Sequence, residues 1–488
     1  MITREIMAPL MFGGLIAFML IGYPVAFSLA AVGLVFGVVG MELGFFSASL
    51  LQALPERVFG ILSNDLMLAI PFFTLMGAIL ERCGLAEDLL EGFGQLFGPV
   101  RGGIAYAVIL VGAVLGAITG TVAASVIAMG LISLPVMMRY GYDMRLATGV
   151  IAASGTITQL IPPALVLIVL ADQLGQPVGE MYAGAIGPSI VQVLLFCAFV
   201  FAVSVLRPHL MPPLPPEART LRGWPLAKRV LSGMVPSLAL IFLVLGTILM
   251  GLATPTEGGA MGAVGAIGLA ALHGRLTWPL LREGMASTMR ITAMVIFILI
   301  GSTVFGLVFR GVDGDLWIES HLLSLPGGVV GFLIAVNLFI FVLAFFLDFF
   351  EIAFIVIPLL APVAAKLGID LVWFGVLIGA NMQTSFMHPP FGFALFYLRG
   401  VAPREVKSSD IYWGAVPWVC LQLLLVAILI VWPGLVTGFL DRTPAADPSR
   451  IEIILPPEDA APAEPVPPAK SGDDAATEID RMLRQGGK

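Results

Sequence analysis

Residues 153–163, ASGTITQLIPP, and 380–390, ANMQTSFMHPP, set hydroxyl, amide and imidazole groups beside paired prolines inside otherwise apolar runs. Proline lacks a backbone donor and clashes with the preceding turn, so Pro162-Pro163 and Pro389-Pro390 should interrupt helices. Interrupted backbone at membrane depth survives only where protein or a polar cavity satisfies the freed groups. Hydroxyl, amide and carbonyl oxygens there suit a hard cation such as Na+ or a proton. Helix N-termini following the prolines suit an anion such as a carboxylate. A second group is Asp348 and Glu351, the only acids in the apolar stretch 329–365. Acids at membrane depth cost a few kcal/mol or more, which makes them functional candidates. Asp348 reads either as ion coupling or gating, or as a helix cap. Glu351, one turn on, could share that role or merely offset the helix dipole. His388 reads equally as a proton relay or as a polar plug at the break.

The elements that must position these residues are membrane spans. Of 488 residues, 59% are hydrophobic and 12% charged, with a mean hydropathy of +1.01. Soluble domains carry roughly 25% charged residues. Apolar runs near the ~20 residues needed to cross a bilayer recur along the chain, and the first has no cleavage site, so it reads as an uncleaved span. The net charge of −7 comes partly from residues 437–488, a Pro/Ala-rich acidic tail of disordered composition.

Two segments match without a gap at an offset of 227 residues: PVMMRYGYDMRLATGVIAASGTITQLIPP (135–163) and PVAAKLGIDLVWFGVLIGANMQTSFMHPP (362–390). Neighbouring apolar runs follow nearly the same offset, the mark of a duplicated architecture. Placing 82–103, 139–145, 207–229, 273–290 and 399–407 inside the cell gives 15 Lys/Arg inside and four outside, the tail aside. Each repeat then has five full crossings plus an even pair, at 104–138 or 331–365. The second repeat therefore enters the membrane upside down, the arrangement of secondary transporters with midplane sites. Stretches such as 126–138 give ~20 Å of helix, short of a crossing. The even pairs therefore read as re-entrant hairpins with tips at TGTVAAS (119–125) and FLDFFE (346–351). Ser154 and Asn381 would both lie ~15 Å deep, at unwound points facing each other.

The expected fold is thus an all-α polytopic membrane protein of two inverted-topology repeats. The first covers 1–206 with hairpin 104–138. A basic cytoplasmic linker covers 207–229, and the second repeat covers 230–436 with hairpin 331–365. Both termini fall outside the cell, in the periplasm. LATPTEGGAMGAVGAIG (252–268) reads structurally: Thr254 and Glu257 form a capping box, and Gly259, Gly262, Gly265 and Gly268 a close-packing face. Ser63-Asn64-Asp65 reads as a helix start at the outer surface. Cys83, Cys197 and Cys420 lie far apart with no metal spacing and read as buried inert thiols.

No HExxH occurs, Asp348 has no partner aspartate at matching depth, and no GxxxxGK[ST] loop is present. An intramembrane enzyme and an ATP-driven pump are disfavoured, no cofactor is called for, and nothing points to nucleic acid. A channel would share the repeat but would not concentrate its solute.

Together these stretches resemble the large membrane subunit of TRAP (tripartite ATP-independent periplasmic) transporters, the DctM-like permeases. The similar segments are IGYPVAFSLAAVG (21–33), SNDLMLAIPFFTLMGAIL (63–80), AASGTITQLIPP (152–163), LATPTE (252–257) and FLDFFEIAFIVIPLLAPV (346–363). Their order and spacing agree with the family to about residue 436. The resemblance implies an elevator-type, Na+-driven symporter in the bacterial inner membrane. It also implies two partners: a small four-helix membrane subunit and a periplasmic solute-binding protein that delivers an organic acid. It implies Na+ ligands at the hairpin tips and breaks, here Thr119, Thr121, Ser125, Ser154, Gly155, Thr156, Asp348, Asn381, Gln383 and Thr384. Thr158, Ser385 and His388 are the accompanying candidates for substrate contact. Family members often carry a Ser-Ser pair at the first tip, where this chain has TGTVAAS. QTSFMHPPFGFALFYLRGVAP and the tail look like the branch labelled for mannitol or chloroaromatic compounds. Similar systems take lactate, pyruvate or other 2-oxo acids, so a small monocarboxylate such as a 2-oxo or 2-hydroxy acid is the expected cargo. A stand-alone Na+-coupled carboxylate or anion symporter of the same hairpin architecture is the alternative.

Overall fold

Asp143 and Asp370, equivalent at the 227-residue offset, each start a helix of the buried centre. Asp143 Oδ1 accepts from the amides of Arg145 and Leu146 at 3.0 and 3.1 Å, and Asp370 Oδ1 from Trp373 at 2.8 Å. An N-cap of this kind contributes about 1 kcal/mol. The structure is a computed structural model describing residues 4–440 apart from 346, 390 and 391. Pro390, and the expected tail from residue 441 onward, lie outside the described residues.

The first half comprises α1 (Arg4–Leu20), α2 (Val25–Glu42), the short α3 (Ser49–Gln52) and α4 (Leu54–Leu62), α5 (Asp65–Arg82) and α6 (Leu85–Phe97). It continues with a hairpin of α7 (Gly103–Thr119) and α8 (Val122–Arg139), an interrupted pair α9 (Met144–Thr156) and α10 (Leu165–Leu174), and α11 (Val178–Leu206). The second half opens with α12 (Trp224–Ile241), α13 (Thr247–Leu249), α14 (Pro255–Leu272), α15 (Trp278–Gly311) and α16 (Gly314–Leu323). Its hairpin is α17 (Gly328–Leu343) with α18 (Phe349–Ile355) and α19 (Ile357–Lys366). The interrupted pair α20 (Leu371–Met382) and α21 (Phe393–Val401) follows, then α22 (Ser408–Val431) and α23 (Gly434–Thr437). Adding 227 to the bounds of α8 gives 349–366, the outer bounds of α18 plus α19.

The halves pack reciprocally. α2 lies on α15 and its counterpart α14 on α5; α6 lies on α12 and its counterpart α16 on α1. α22 crosses α9 as α11 crosses α20, and α21 lies against α8 as α10 lies against α18 and α19. Pairing of i with j′ and of i′ with j is what a twofold relation produces.

Glycines let the central helices approach closely. A Cβ on Gly149 would stand 2.2 Å from the Gly414 carbonyl oxygen, and one on Gly414 2.3 Å from that of Arg145. Small residues at such crossings bring backbones together in membranes, where no hydrophobic drive separates helix from lipid. Trp418 fills the space beside this crossing, fully buried and edge-on to Phe196 and Phe199 at 5.0 and 5.1 Å. On the outer helices, Thr254 and Glu257 close a capping box: Glu257 N donates to Thr254 Oγ1 at 3.2 Å and Thr254 N to Glu257 Oε2 at 2.8 Å. Of the glycine face that follows, Gly259, Gly262 and Gly265 sit against Phe72, Met76 and Leu240, whereas Gly268 meets nothing. Asn64 caps α5 and also donates to Asp172 Oδ1 at 2.8 Å, tying that helix start to the end of α10.

The exterior is apolar, with Phe27, Leu194, Phe201, Phe242, Leu272 and Val431 among the exposed side chains. Apolar exposure on this scale marks a surface that faces lipid. Among the described residues, six helices are long and apolar enough to cross a membrane. Two bent pairs, Ser49–Leu62 with Asp65–Arg82 (48°) and Phe349–Ile355 with Ile357–Lys366 (53°), bring this to eight. The chain is an all-helical, multi-pass membrane protein with bent helix pairs. Several expected crossings fall short of that test because the breaks cut them into pieces such as α9 with α10 and α20 with α21.

Three sequence expectations need correction. The first hairpin's second limb is not a short 126–138 helix: α8 has 18 residues, ~27 Å, because the turn at its tip takes only Gly120 and Thr121. The linker expected over 207–229 ends earlier, since Trp224-Pro225 already opens α12. Cys420 is exposed rather than buried, because it points away from the face that carries Trp418 and Gln422.

Candidate functional site

The first break begins as a tightened helix. Ser154, Thr156 and Thr158 donate to the carbonyls of Ile151, Ala153 and Gly155, each at 2.9 Å and each three residues back. Hydroxyls that bond back to the preceding turn bend helices. α9 accordingly passes into a 3-10 turn at Ile157–Gln159 before the chain leaves helical geometry. The second break repeats this: Thr384 donates to Asn381 O at 2.8 Å, Ser385 to Met382 O at 2.7 Å, and a 3-10 segment covers Gln383–Met387. The sequence reading placed Ser154 and Asn381 on unwound backbone with stray carbonyls. Both are instead helical, the carbonyls of Ile151, Ala153, Gly155, Asn381 and Met382 accept from neighbouring hydroxyls, and the non-helical stretch lies at the prolines. Pro162 and Pro163, joined by a cis peptide, are buried there.

The first hairpin closes over the first break. A Cβ on Gly112 would stand 2.7 Å from Ser154 Cβ, and one on Gly116 2.9 Å from Thr158 Cα. On the other limb, a Cβ on Gly155 would stand 2.2 Å from Val126 Cγ2. Glycine on either side of the contact is what brings α7, α8 and the break together. Gly120 at the tip faces Pro163 and Leu165, the approach to α10. Thr121 precedes α8 without capping it by its side chain, and Ser125 is buried one turn on. Thr119 is the last residue of α7.

The second hairpin closes over the second break with aromatic groups. Phe345 stacks on the His388 ring at 4.1 Å and Phe341 meets it edge-on at 4.3 Å. His388 is thus walled by apolar rings in this conformation, and Pro389 follows it half-buried. Asn337 on α17 receives Asn381 Nδ2 at its carbonyl (2.8 Å) and its side-chain oxygen (3.1 Å). At the tip, Asp348 Oδ1 accepts from Phe349 N at 2.6 Å, and Glu351 Oε2 accepts from Asp348 N at 3.0 Å. The two acids therefore form a capping box, the same device as Thr254 and Glu257. The residues that precede α8, α10 and α21, namely Thr121, Ala164 and Gly392, by contrast make no side-chain cap bond among the described residues.

The breaks meet. Thr156 Oγ1 lies 3.8 Å from the sulfur of Met387. Three side-chain amide oxygens in this core, Gln159 Oε1, Asn381 Oδ1 and Gln422 Oε1, are buried and have no donor among the described residues. Buried acceptors without donors are costly, by roughly 1–3 kcal/mol each, unless something positive meets them. Among the described residues no three His, Cys, Asp or Glu side chains gather as metal ligands. Neutral oxygens of this sort suit a monovalent hard cation.

Of the candidates, Ser154, Gly155, Thr156 and Thr158 share the first break with the limbs of the first hairpin. Asn381, Gln383, Thr384, Ser385 and His388 share the second with α17. Asp348 stands at the second tip. Sequence reasoning missed Gln192, Gln422, Asn337, Gln159 and Ser189. Gln192 and Gln383 exchange two amide bonds, at 2.5 and 3.2 Å, and Gln422 donates to Thr156 Oγ1 at 2.8 Å. Ser189 donates to Leu160 O at 3.1 Å. The available signal was a lone amide in an apolar run, as in IVQVLL and VCLQLL.

A match to the family described as Tripartite ATP-independent periplasmic transporter, DctM component, spans residues 12–435. The chain is 29% identical over 388 residues to the C4-dicarboxylate TRAP transporter large permease protein DctM of Pseudomonas aeruginosa, covering 79% of this chain and 88% of that one. It is 27% identical over 430 residues to the isethionate TRAP transporter permease protein DctMQ of Oleidesulfovibrio alaskensis, covering 88% of this chain and 65% of that longer protein. Among solved structures it resembles the YdaH transporter of Alcanivorax borkumensis, with a TM-score of 0.56 at 15% identity over 80% of this chain and 90% of the other. At that identity the likeness concerns the fold alone. The family match runs from within the first helix to the end of the second interrupted half, and the chain belongs to the DctM family, the large permease subunits of tripartite ATP-independent periplasmic transporters.

Proposed function

We propose that this chain is the translocating subunit of a system importing a small organic acid, a monocarboxylate of the 2-oxo or 2-hydroxy type, by symport with Na+. The observation that carries the reading is the contact between two equivalent helix breaks at Thr156 and Met387, within a core of neutral oxygens. Thr121, Ser125, Ser154, Gly155, Thr156, Asp348, Asn381, Gln383 and Thr384, with the residue Thr119, supply the cation sites. Thr158, Ser385 and His388 contact the acid, and the N-termini of α8, α10 and α21 contribute partial positive charge to it. Relatives named for C4-dicarboxylates and isethionate, both anions, support an acidic cargo. The extra length of the protein named DctMQ supports a second membrane subunit as partner, and the family's own description supports a periplasmic component.

The two halves sit inverted in the bacterial inner membrane, with the termini on the periplasmic side. The hairpins, breaks and α10, α11, α21 and α22 move as one body against α1, α2, α5, α12, α14 and α15, an elevator. The bridging helices α6 and α16, each touching a hairpin limb on one side and an outer helix on the other, support that division. Arg229 holds α6 to α12 through Asp88 and Glu91 at 3.0 and 2.7 Å.

Proteoliposomes holding the chain with its small subunit, supplied with binding protein and radiolabelled acid, should accumulate the acid only under an inward Na+ gradient. Uptake that persists with K+ in place of Na+ overturns the coupling. Strong uptake by this chain alone, without either partner, favours the stand-alone symporter instead.

A further inference from the structure

Thr156 and Gln383 are equivalent at the 227-residue offset, one in each break. Each is held by a glutamine from the final long helix of the opposite half. Gln422 on α22 donates to Thr156 Oγ1 at 2.8 Å, and Gln192 on α11 donates to Gln383 Oε1 at 2.5 Å. All four side chains are buried, and Gln192 and Gln422 are each only 1% exposed. Thr156 donates its single proton to Ala153 O at 2.9 Å, so its oxygen acts towards Gln422 as an acceptor, and the amide atom facing it is the N–H end. In the second pair the amides exchange both bonds, the return bond being 3.2 Å.

We infer that Gln192 and Gln422 are positioning residues that stand in for the coupling cation, each occupying from the opposite half an oxygen that the cation needs. This rests on the proposal that Thr156 and Gln383 are cation ligands. An N–H aimed at an oxygen takes space beside it and turns its positive end towards any cation arriving at that oxygen, so the two oppose each other there. A cation entering either break therefore displaces the amide and loosens the grip of α22 on α9, or of α11 on Gln383. Cation entry is thereby tied to a contact between the two halves rather than within one.

The test is a Na+ titration of thermal stability, at constant ionic strength with K+ as balance, on the permease purified with its small subunit. Gln422→Met and Gln192→Met keep side-chain volume and remove the competing N–H. The half-saturating Na+ concentration for stabilisation should fall at least threefold in each. A glutamine with a merely structural role would lower the melting temperature without Na+ and leave the half-saturating concentration where it was. An unchanged or raised value in either variant overturns the inference for that amide. If Gln422→Met does not purify as folded protein, Gln422→Glu, which keeps the shape and exchanges donor for acceptor, should show the same fall. A wild-type protein that Na+ does not stabilise more than K+ would instead sink the cation reading itself.

Discussion

Asp348 spends one carboxylate oxygen on the Phe349 amide, and that decides how its substitution reads. Asparagine caps a helix about as well as aspartate. Asp348→Asn should therefore leave expression and melting temperature near the wild type, while Na+-dependent uptake falls at least tenfold. Undiminished uptake would leave the acid as a cap and nothing more. A second residue-scale expectation concerns His388, boxed between Phe341 and Phe345. His388→Phe should keep the fold, since the box is apolar, and should raise the concentration of loaded binding protein needed for half-maximal uptake. Unchanged uptake would make the ring a plug. At this scale the sequence is readable where prolines mark a break, which is why Ser154, Thr156, Asn381 and Thr384 stand out. Gln192 and Gln422 do not, because one amide in an apolar span carries no spacing to betray its partner on a distant helix.

Among elements, the second hairpin's far limb is instructive. Pro358 has no N–H for the Phe354 carbonyl four residues back, and the limb bends by 53° between α18 and α19. Ser302 on α15 supplies the missing donor, at 2.5 Å. Ser302→Ala should cost about 1 kcal/mol, in keeping with interhelical hydrogen bonds in membranes, and a melting curve of the purified protein would show it. No change in stability would mean the carbonyl finds another donor. The first hairpin depends on shape instead. Gly155→Val would drive its side chain into Val126, which lies 2.2 Å from a mere Cβ, and should abolish uptake while insertion persists. Both hairpins were legible from the repeat, but limb length was not. The turn at Gly120 and Thr121 is tighter than TGTVAAS suggests, since Val122, Ala123, Ala124 and Ser125 already belong to α8.

At the scale of the whole molecule, reciprocal packing of the halves was legible as a constant offset, and the charge bias assigns each loop an expected side. A membrane-impermeant thiol reagent should label Arg57→Cys from the periplasm of intact cells and spare Lys407→Cys, on a background lacking Cys83, Cys197 and Cys420. The opposite pattern would invert the protein. The sequence does not reveal which helices pack together, because that depends on contacts such as α6 with α12 and α16 with α1, each unremarkable alone. The proline bend acquires meaning here. α8 runs as one helix from tip to base, Pro135 included, whereas its counterpart is two helices that meet at Val356. Duplication thus left two limbs of one ancestry with unequal continuity, the first a single helix and the second divided at its middle by a 53° bend.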